Sequence, residues 1–443
     1  MRTVNQTIEW YRSHFDAFES TLNGESKSTL HQMRREAIGK FSDTGFPTTR
    51  HEEWKYTNIA PITKTDFTPI TRFDGAGISK EQIQQFSFGT RHQLVFVDGH
   101  FSTELSTSAQ LPSGVACGSL ARAHEVSGDQ VGQYLGGQLK IDETPFVTLN
   151  TAFINDGAFI VIPDRVVMED SVHLLFIASG KQDVLLAPRN VIVLGKGSQA
   201  SIVESYVALN EVRYLTNAVT EITLGEGSVL EHDKLQLESI QAFHVAMTYA
   251  RLGARSTFTS NSIAIGGSIV RNNVTAILDA EGVECTLNGL SLSTGSQLID
   301  NHTTMDHAKP NCASHELYKS ILDGHSRGVF NGKIFVRDQA QKTDAKQTNK
   351  ALLLSDDATI DTKPQLEIFA DDVKCTHGAT VGQLDSEQIF YLRSRGIDES
   401  AARDILTFAF ASDVVRRVHV EPLKAKLEEL IRTHLDAGRR SRI

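Results

Sequence analysis

The first apolar pattern along the chain is helical. Glu9-Trp10-Tyr11 through Phe18 carries a mixed apolar face, and Ser28 to Phe41 continues with good helix formers. Gly45-Phe46-Pro47 breaks that pattern before a polar run from Thr48 to Tyr56. Leu94-Val95-Phe96-Val97, Asp98-Gly99 and His100-Phe101 predict a strand, a tight turn and a returning strand. Leu120 to Leu139 predicts a further helix with a glycine-rich end.

From about Phe153 to Thr380 helical periodicity is almost absent. Short runs rich in Val, Ile, Leu and Thr are punctuated by glycine. Leu194-Gly195-Lys196-Gly197-Ser198 recurs as Leu224-Gly225-Glu226-Gly227-Ser228, then more weakly as Leu252-Gly253-Ala254-Arg255-Ser256. Each unit places strand, glycine turn and strand in the same order, the signature of coils stacking on one another. A sandwich also gives many short strands, but the repeat favours a β-solenoid. Helix signals return at Asp385-Ser386-Glu387-Gln388, which resembles a capping box, and that helix stops at Gly396. Asp398 caps a second helix to about His419, and Pro422 opens a third that ends near Leu435. The expected organisation is a mainly helical region over 1–155, a mainly β solenoid over 156–384 and a helical region over 385–443.

Composition narrows the function classes. Apolar residues make up 40% and charged residues 22% of the 443, ordinary for a globular protein. A net charge of −10 argues against nucleic-acid binding as the main task. The short basic end Arg439-Arg440-Ser441-Arg442 reads as a solvated tail. No apolar run is long enough to span a membrane, and Arg2 is not followed by the apolar core of a secretory signal. Four scattered cysteines, Cys117, Cys285, Cys312 and Cys375, form no disulfide framework and read as reduced thiols of a cytoplasmic protein.

Signatures of common catalytic sites are missing. Gly195-Lys196 is followed by Gly197, and Gly332-Lys333 by Ile334, so neither forms a phosphate-cradling loop, and no nucleotide site is expected on this chain. Two clusters offer metal-ligand chemistry. Val373, Cys375 and His377 alternate with Asp372, Lys374 and Thr376, the period-2 pattern of a strand, which puts thiol and imidazole on one face. Two ligands make half a metal site, to be completed from elsewhere; the other reading is a buried thiol beside a hydrogen-bonded histidine. The second cluster lies between Asp300 and His325, with His302, His307 and Cys312 as candidate ligands and Glu316 among its acids. The five-residue step from His302 to His307 puts those two on opposite strand faces, so polar ladders between coils explain them as well. Phe408 and Phe410 are either helix-on-helix core or part of a groove for a partner. Paired carboxylates on a β-solenoid can cleave polysaccharide, and an enzyme of that kind is the main alternative, though aromatics are only 7%.

Four stretches resemble the SufB/SufD family of iron–sulfur cluster assembly proteins, its SufD branch above all. They are Pro47-Thr48-Thr49-Arg50-His51-Glu52-Glu53-Trp54-Lys55-Tyr56-Thr57; Asp300-Asn301-His302-Thr303 with Asp306-His307; Leu317-Tyr318-Lys319 through Gly332-Lys333 to Thr348-Asn349; and Leu352 through Lys374-Cys375-Thr376-His377-Gly378-Ala379-Thr380 to Phe390-Tyr391-Leu392-Arg393-Ser394-Arg395-Gly396. The resemblance implies a right-handed parallel β-helix between helical N- and C-terminal regions. It also implies a complex with the paralogue SufB and the ATPase SufC. SufC would dock on the C-terminal helices, with Phe390, Tyr391, Arg393, Arg395, Phe408 and Phe410 as candidate contacts. SufB would pair edge to edge with the end of the β-helix near Cys375 and His377, where a transient iron or iron–sulfur cluster is shared. The paralogue's scaffold cysteine falls where this chain has Ile368, and Gly378 stands for its glutamate, which fits an accessory, non-enzymatic subunit. An exposed solenoid end also invites a homodimer when the isolated chain lacks its partner.

Overall fold

The computed structural model describes residues 4–22, 28–72, 77–136 and 144–440. The chain opens with helices α1 (Val4–Glu19) and α2 (Thr29–Thr44), the second capped by the Ser28 side chain. A single turn α3 (Ala60–Thr63), the short strand β1 (Thr68–Pro69) and α4 (Lys80–Gln84) lead to β2 (His92–Val97) and β3 (His100–Ser108). Asp98 and Gly99 join that antiparallel hairpin with φ of 48° and 84°, the left-handed pair that such a two-residue turn requires. Then come β4 (Ala116–Ser119), α5 (Leu120–Tyr134) and α6 (Pro145–Ala152). The helix expected through Leu139 thus stops at Tyr134, and residues 137–143 lie outside the described residues.

The solenoid strands follow. They are β5 (Ala158–Ile162), β6 (Val172–Ala178), β7 (Val184–Leu186), β8 (Arg189–Leu194), β9 (Gln199–Ala208), β10 (Leu215–Leu224) and β11 (Val229–Leu237). Next are β12 (Phe243–Leu252), β13 (Thr257–Ala264), β14 (Ile269–Leu278), β15 (Glu284–Ser293) and β16 (Leu298–His307). The last coils hold β17 (Ala313–Leu322), β18 (Arg327–Val336), β19 (Asp344–Leu353), β20 (Thr359–Ile368) and β21 (Lys374–Gly382). From β8 on, even-numbered strands form one parallel sheet ending in β20; from β9 on, odd-numbered strands form the other, ending in β21. Each coil contributes one strand to each sheet, giving a β-solenoid of about eight turns. The region expected to be mainly helical also supplies strands: β2 lies parallel to β6, and β4 pairs antiparallel with β5.

The glycine repeat is the corner of the coil. Leu194, Leu224 and Leu252 are in register and fully buried. The glycine after each leucine lets one corner lie on the next: a Cβ on Gly225 would come 2.8 Å from the backbone carbon of Gly195. Gly197 and Gly227 turn the chain with φ of 63° and 65°. Ser198, Ser228 and Ser256 then fold their hydroxyls back to donate to the carbonyls of Gly195, Gly225 and Gly253 at 2.7–2.8 Å. Gly197 N–H donates to the Glu226 carbonyl of the next corner, so the corners are bonded as the strands are.

Both outer faces of the middle coils are covered. Tyr11, Phe15, Phe41, Phe46 and Phe146 of the N-terminal part pack on Leu215, Phe243, Val245 and Ile269 of the even sheet. Helices α7 (Ser386–Ser394), α8 (Glu399–Val415) and α9 (Glu421–Arg440) close the chain. Val414, Val415, Leu423, Leu427 and Ile431 cover Val203, Leu235, Ile263 and Leu290 of the odd sheet. Ser441 and Arg442 of the basic end lie outside the described residues. No helix among the described residues is long and apolar enough to cross a membrane.

Candidate functional site

The inward positions of each coil stack on those of the next, and this decides where Cys375 and His377 point. Cys375 is the register partner of Ala345, and His377 of Gln347. Ala345 is fully buried in the solenoid core, and Cys375 packs against the same core. Both candidates therefore occupy inward rungs of the last coil, as the period-2 alternation requires. Inward rungs of earlier coils are sealed, with Gln347 only 2% exposed. Among the described residues no further strand stacks on the last coil. Cys375 is half-buried and His377 exposed, while Ile368 and Val381 are 39% and 46% exposed. Burial, and then the Asp344 carboxylate, push the Cys375 thiol up, so it is held as a neutral thiol until something removes its proton.

β20 and β21 are also the free edges of their two sheets. Pro364 stands in β20, a residue that a sheet tolerates on an edge. Ile368, in register with Val336, is the inward residue that ends β20. The open end thus presents two unpaired strand edges around a half-apolar mouth with one imidazole and one thiol.

The second candidate set does not come together. His302 points out of β16 and His307 into the core, so strand alternation separates them. His307 Nε2 lies 2.8 Å from Ser314 Oγ, and burial pushes its pKa down to about 4. Cys312 is buried and its Sγ donates to the Ala280 carbonyl at 3.2 Å. No group of three or more His, Cys, Asp or Glu able to hold a metal occurs among the described residues.

His302 instead fastens the N-terminal stretch to the outside of the even sheet. Its Nε2 lies 3.0 Å from Asp300 Oδ1 and its Nδ1 3.3 Å from Glu53 Oε2. Arg271 donates to Asp300 Oδ2 at 2.8 Å and to the Glu53 carbonyl at 2.7 Å, with its guanidinium 3.8 Å over the Trp54 ring. Thr57 Oγ1 donates to the same Asp300 oxygen at 2.5 Å. Burial opposes ionisation of Asp300, but His302 and Arg271 outweigh it and hold the carboxyl below its ordinary range. Glu52 pairs with Lys363 of β20, so the clip reaches the last coil.

The C-terminal candidates divide. Helix α7 buries none of its residues, and Phe390 and Tyr391 are 73% and 58% exposed. Arg395 lies over the Tyr391 ring and Arg393 pairs with Glu399. Phe408 and Phe410, by contrast, are half-buried and pack against the cluster between the helices and the odd sheet. Phe408 lies under Arg432; Phe410 lies under Lys319 of β17, which also bonds the Phe410 carbonyl and Asp413. Alternation along a helix marks no outside when the helix is sandwiched, and α8 lies between the solenoid and α9.

Sequence reasoning did not find that the solenoid interior is polar. On inward rungs, Glu204 accepts from Thr220 and Tyr206 at 2.9 and 3.0 Å and lies 3.1 Å from His232 Nε2. Lys234 Nζ reaches His244 and Asn272, and His244 Nδ1 lies 2.7 Å from Glu238. Burial works against a charged Glu204, yet His232 and Lys234 hold it down to about 2. Closer to the open end Glu316, Gln347 and Asn349 continue the row. Glu316, Gln347 and His377 sit one coil apart in register, a spacing that marks them as one column once the coil length is known.

A parallel solenoid clothed in helices, with one end stacked shut and the other left open, leaves two strand edges exposed to any chain that can pair with them. The comparisons with known proteins identify the family. The SufBD core domain of the SUF iron–sulfur cluster assembly system matches residues 176–410, and the SufBD N-terminal region matches residues 5–174. The chain is 33% identical to the iron–sulfur cluster assembly protein SufD of Escherichia coli over 98% of both chains. It is 32% identical to an iron–sulfur cluster assembly SufBD family protein of Synechocystis over 93% of each. With the Bacillus subtilis SufD it shares 25% identity over 91% of this chain and 93% of that one. The chain belongs to the SufB/SufD family, and its role lies in SUF iron–sulfur cluster assembly.

Proposed function

We propose that this chain is an accessory, non-catalytic scaffold subunit whose open solenoid end is one half of a shared iron or iron–sulfur cluster site. The observation that supports it best is the last coil: rungs sealed everywhere else carry Cys375 and His377 here, between two unpaired strand edges. Edges of this kind pair with other strands unless covered, and a SufB-type paralogue with a solenoid of its own is the fitting partner. In its absence a second copy of the chain suits the same edges. A neutral imidazole binds iron, and a thiol does so once deprotonated. Ile368 leaves the main thiolate to the partner, so iron or a cluster is transient cargo here. A SufC-type ATPase docks on α7 and its C-cap, where Phe390, Tyr391, Arg393 and Arg395 are exposed, and the complex works in the cytoplasm. This displaces the polysaccharide-active alternative, because Asp306 and Glu367 along the even sheet are already held by Arg337 and Lys333 at 2.6 and 2.7 Å.

The test is a three-component complex purified by size exclusion and charged with iron and sulfide. His377→Ala is expected to leave the complex intact and to cut cluster formation at least about tenfold, as loss of ligand-sphere groups does. The double change Phe390→Ala with Tyr391→Ala is expected to lose the ATPase from the peak. Wild-type cluster yield in an intact His377→Ala complex contradicts the site assignment.

A further inference from the structure

Two kinds of acid lie inside the solenoid. Glu204 and Glu238 each face a cation or imidazole. Glu316, on β17, is 4% exposed and faces none among the described residues. Around it stand Cys285 from β15, Tyr318 from its own strand, Thr303 from β16 and Gln347 from β19, with Phe330 and Gly332 of β18 packed beside Tyr318 and Gln347. The titratable groups among these are a thiol and a phenol, both kept neutral by burial.

The hydrogen bonds show how the carboxyl is accommodated. Glu316 Oε2 accepts from Thr303 Oγ1 at 2.9 Å and from Gln347 Nε2 at 3.0 Å. Among the described residues the other oxygen, Glu316 Oε1, has no partner, and neither has Gln347 Oε1. Two acceptors on adjoining side chains, both buried and both unmet, are what one proton resolves. A hydrogen on Glu316 Oε1 donated to Gln347 Oε1 closes the paired acid–amide ring. Exchanging the ends of the Gln347 amide puts its oxygen against the carboxyl and calls for the same proton. Gly332 leaves room for the amide, since a Cβ there would fall 2.0 Å from Gln347 Nε2.

We propose that Glu316 is a neutral carboxylic acid sharing its proton with Gln347, and that a cation arriving at the open end expels this proton. Burial acts in the same sense, lifting the carboxyl to about 7, where a modest change of field suffices to ionise it. Glu316, Gln347 and His377 are register partners on successive coils, so Glu316 lies about 10 Å beneath the mouth at a strand spacing of about 4.8 Å. A positive charge at that distance favours the carboxylate on the order of tenfold. The step is a simple dissociation: the O–H bond of Glu316 breaks, the carboxylate stays and the proton leaves through the mouth. No electron moves. The coupling rests on the reading of His377 as a cation or cluster ligand; the proton on Glu316 does not.

Infrared spectroscopy of the metal-free full-length chain tests the proposal in two arms. The carbonyl band of a protonated carboxylic acid is expected near pH 6, fading as pH rises through about 7. Glu316→Gln, a neutral isostere of the protonated acid, is expected to lose the component that fades through about 7 and to keep that of Asp233, whose carboxyl burial lifts to about 8. Identical spectra for wild type and Glu316→Gln near pH 6 overturn the proposal. In the second arm zinc is added as probe. Loss of the band in wild type and its retention in His377→Ala supports the coupling. A band unchanged by zinc overturns it, and the zinc bound, measured in the same samples, shows whether the ligand reading of His377 failed with it.

Discussion

The two ends of the solenoid are built from the same strands and finished in opposite ways. At the first end Phe96, Phe176 and Tyr206 stack on inward rungs with centroids 4.7 and 4.8 Å apart, and β3 and β4 run antiparallel to the strands they flank. Aromatic stacks of this kind add about 0.5–1.5 kcal/mol per pair beyond burial. At the last end the rungs are Ile368, Cys375, His377 and Val381, open to solvent, beside two free edges. A chain selected only for its own stability would close both. The polar interior follows the same division: charges are neutralised in place around Glu204, whereas Glu316 nearer the mouth has no cation. The open end is where stability has been left unclaimed.

Two contrasts break or sharpen that comparison. The largest effect is expected from neutralising the two interior acids. Glu204→Gln removes one of the two carboxylates, with Glu238 the other, that offset the buried Lys234, and takes the acceptor from His232; it is expected to lower unfolding free energy by roughly 3–5 kcal/mol. Glu316→Gln is expected to act in the other direction and only at high pH. The folded-state pKa of Glu316 is raised from 4.5 to about 7, so its stabilising proton is fully in place below about 4.5 and lost as pH rises through about 7. The variant should therefore equal wild type near pH 4 and exceed it by up to about 3 kcal/mol above pH 8. Chemical denaturation at both pH values measures this, and equal destabilisation by the two changes would erase the distinction between the regions.

The second contrast is in the apolar rungs. Leu287, fully buried mid-solenoid, should cost about 2–5 kcal/mol on truncation to Ala. Val381, nearly half exposed on the last coil, should cost less than about 1 kcal/mol in the isolated chain while weakening partner binding. A Val381→Ala penalty as large as that of Leu287→Ala would mean that the end is already covered, as in a self-paired dimer.

What the sequence made legible follows from the same geometry. The Leu-Gly-x-Gly-Ser corner was readable because its glycines and serines serve backbone needs, close stacking and a positive φ, that few other residues meet. Alternation correctly placed Cys375 and His377 on one face. It could not say which face is inside, because both outer faces of the middle coils are covered by helices and the usual polar outer phase is blurred. For that reason the inward row from Glu204 to Gln347 went unseen, and Glu316 read as one acid in a loose cluster with His302 and His307. Phe408 and Phe410 were open to two readings in sequence because an amphipathic test fails for a helix packed on two sides; the structure half-buries them under Arg432 and Lys319. The hairpin Leu94–Phe101 was readable, but not its place as the start of a sheet, since strand order is set by contacts distant in sequence.

The central claim is that the open end is completed by another subunit. Amide hydrogen exchange of the chain, alone and with a SufB-type partner, tests it most directly. Protection is expected to rise in Thr359–Ile368 and Lys374–Gly382, the two free edges, and to stay constant in the middle coils Leu215–Leu252. Binding of the partner with unchanged exchange at both edges would contradict the account.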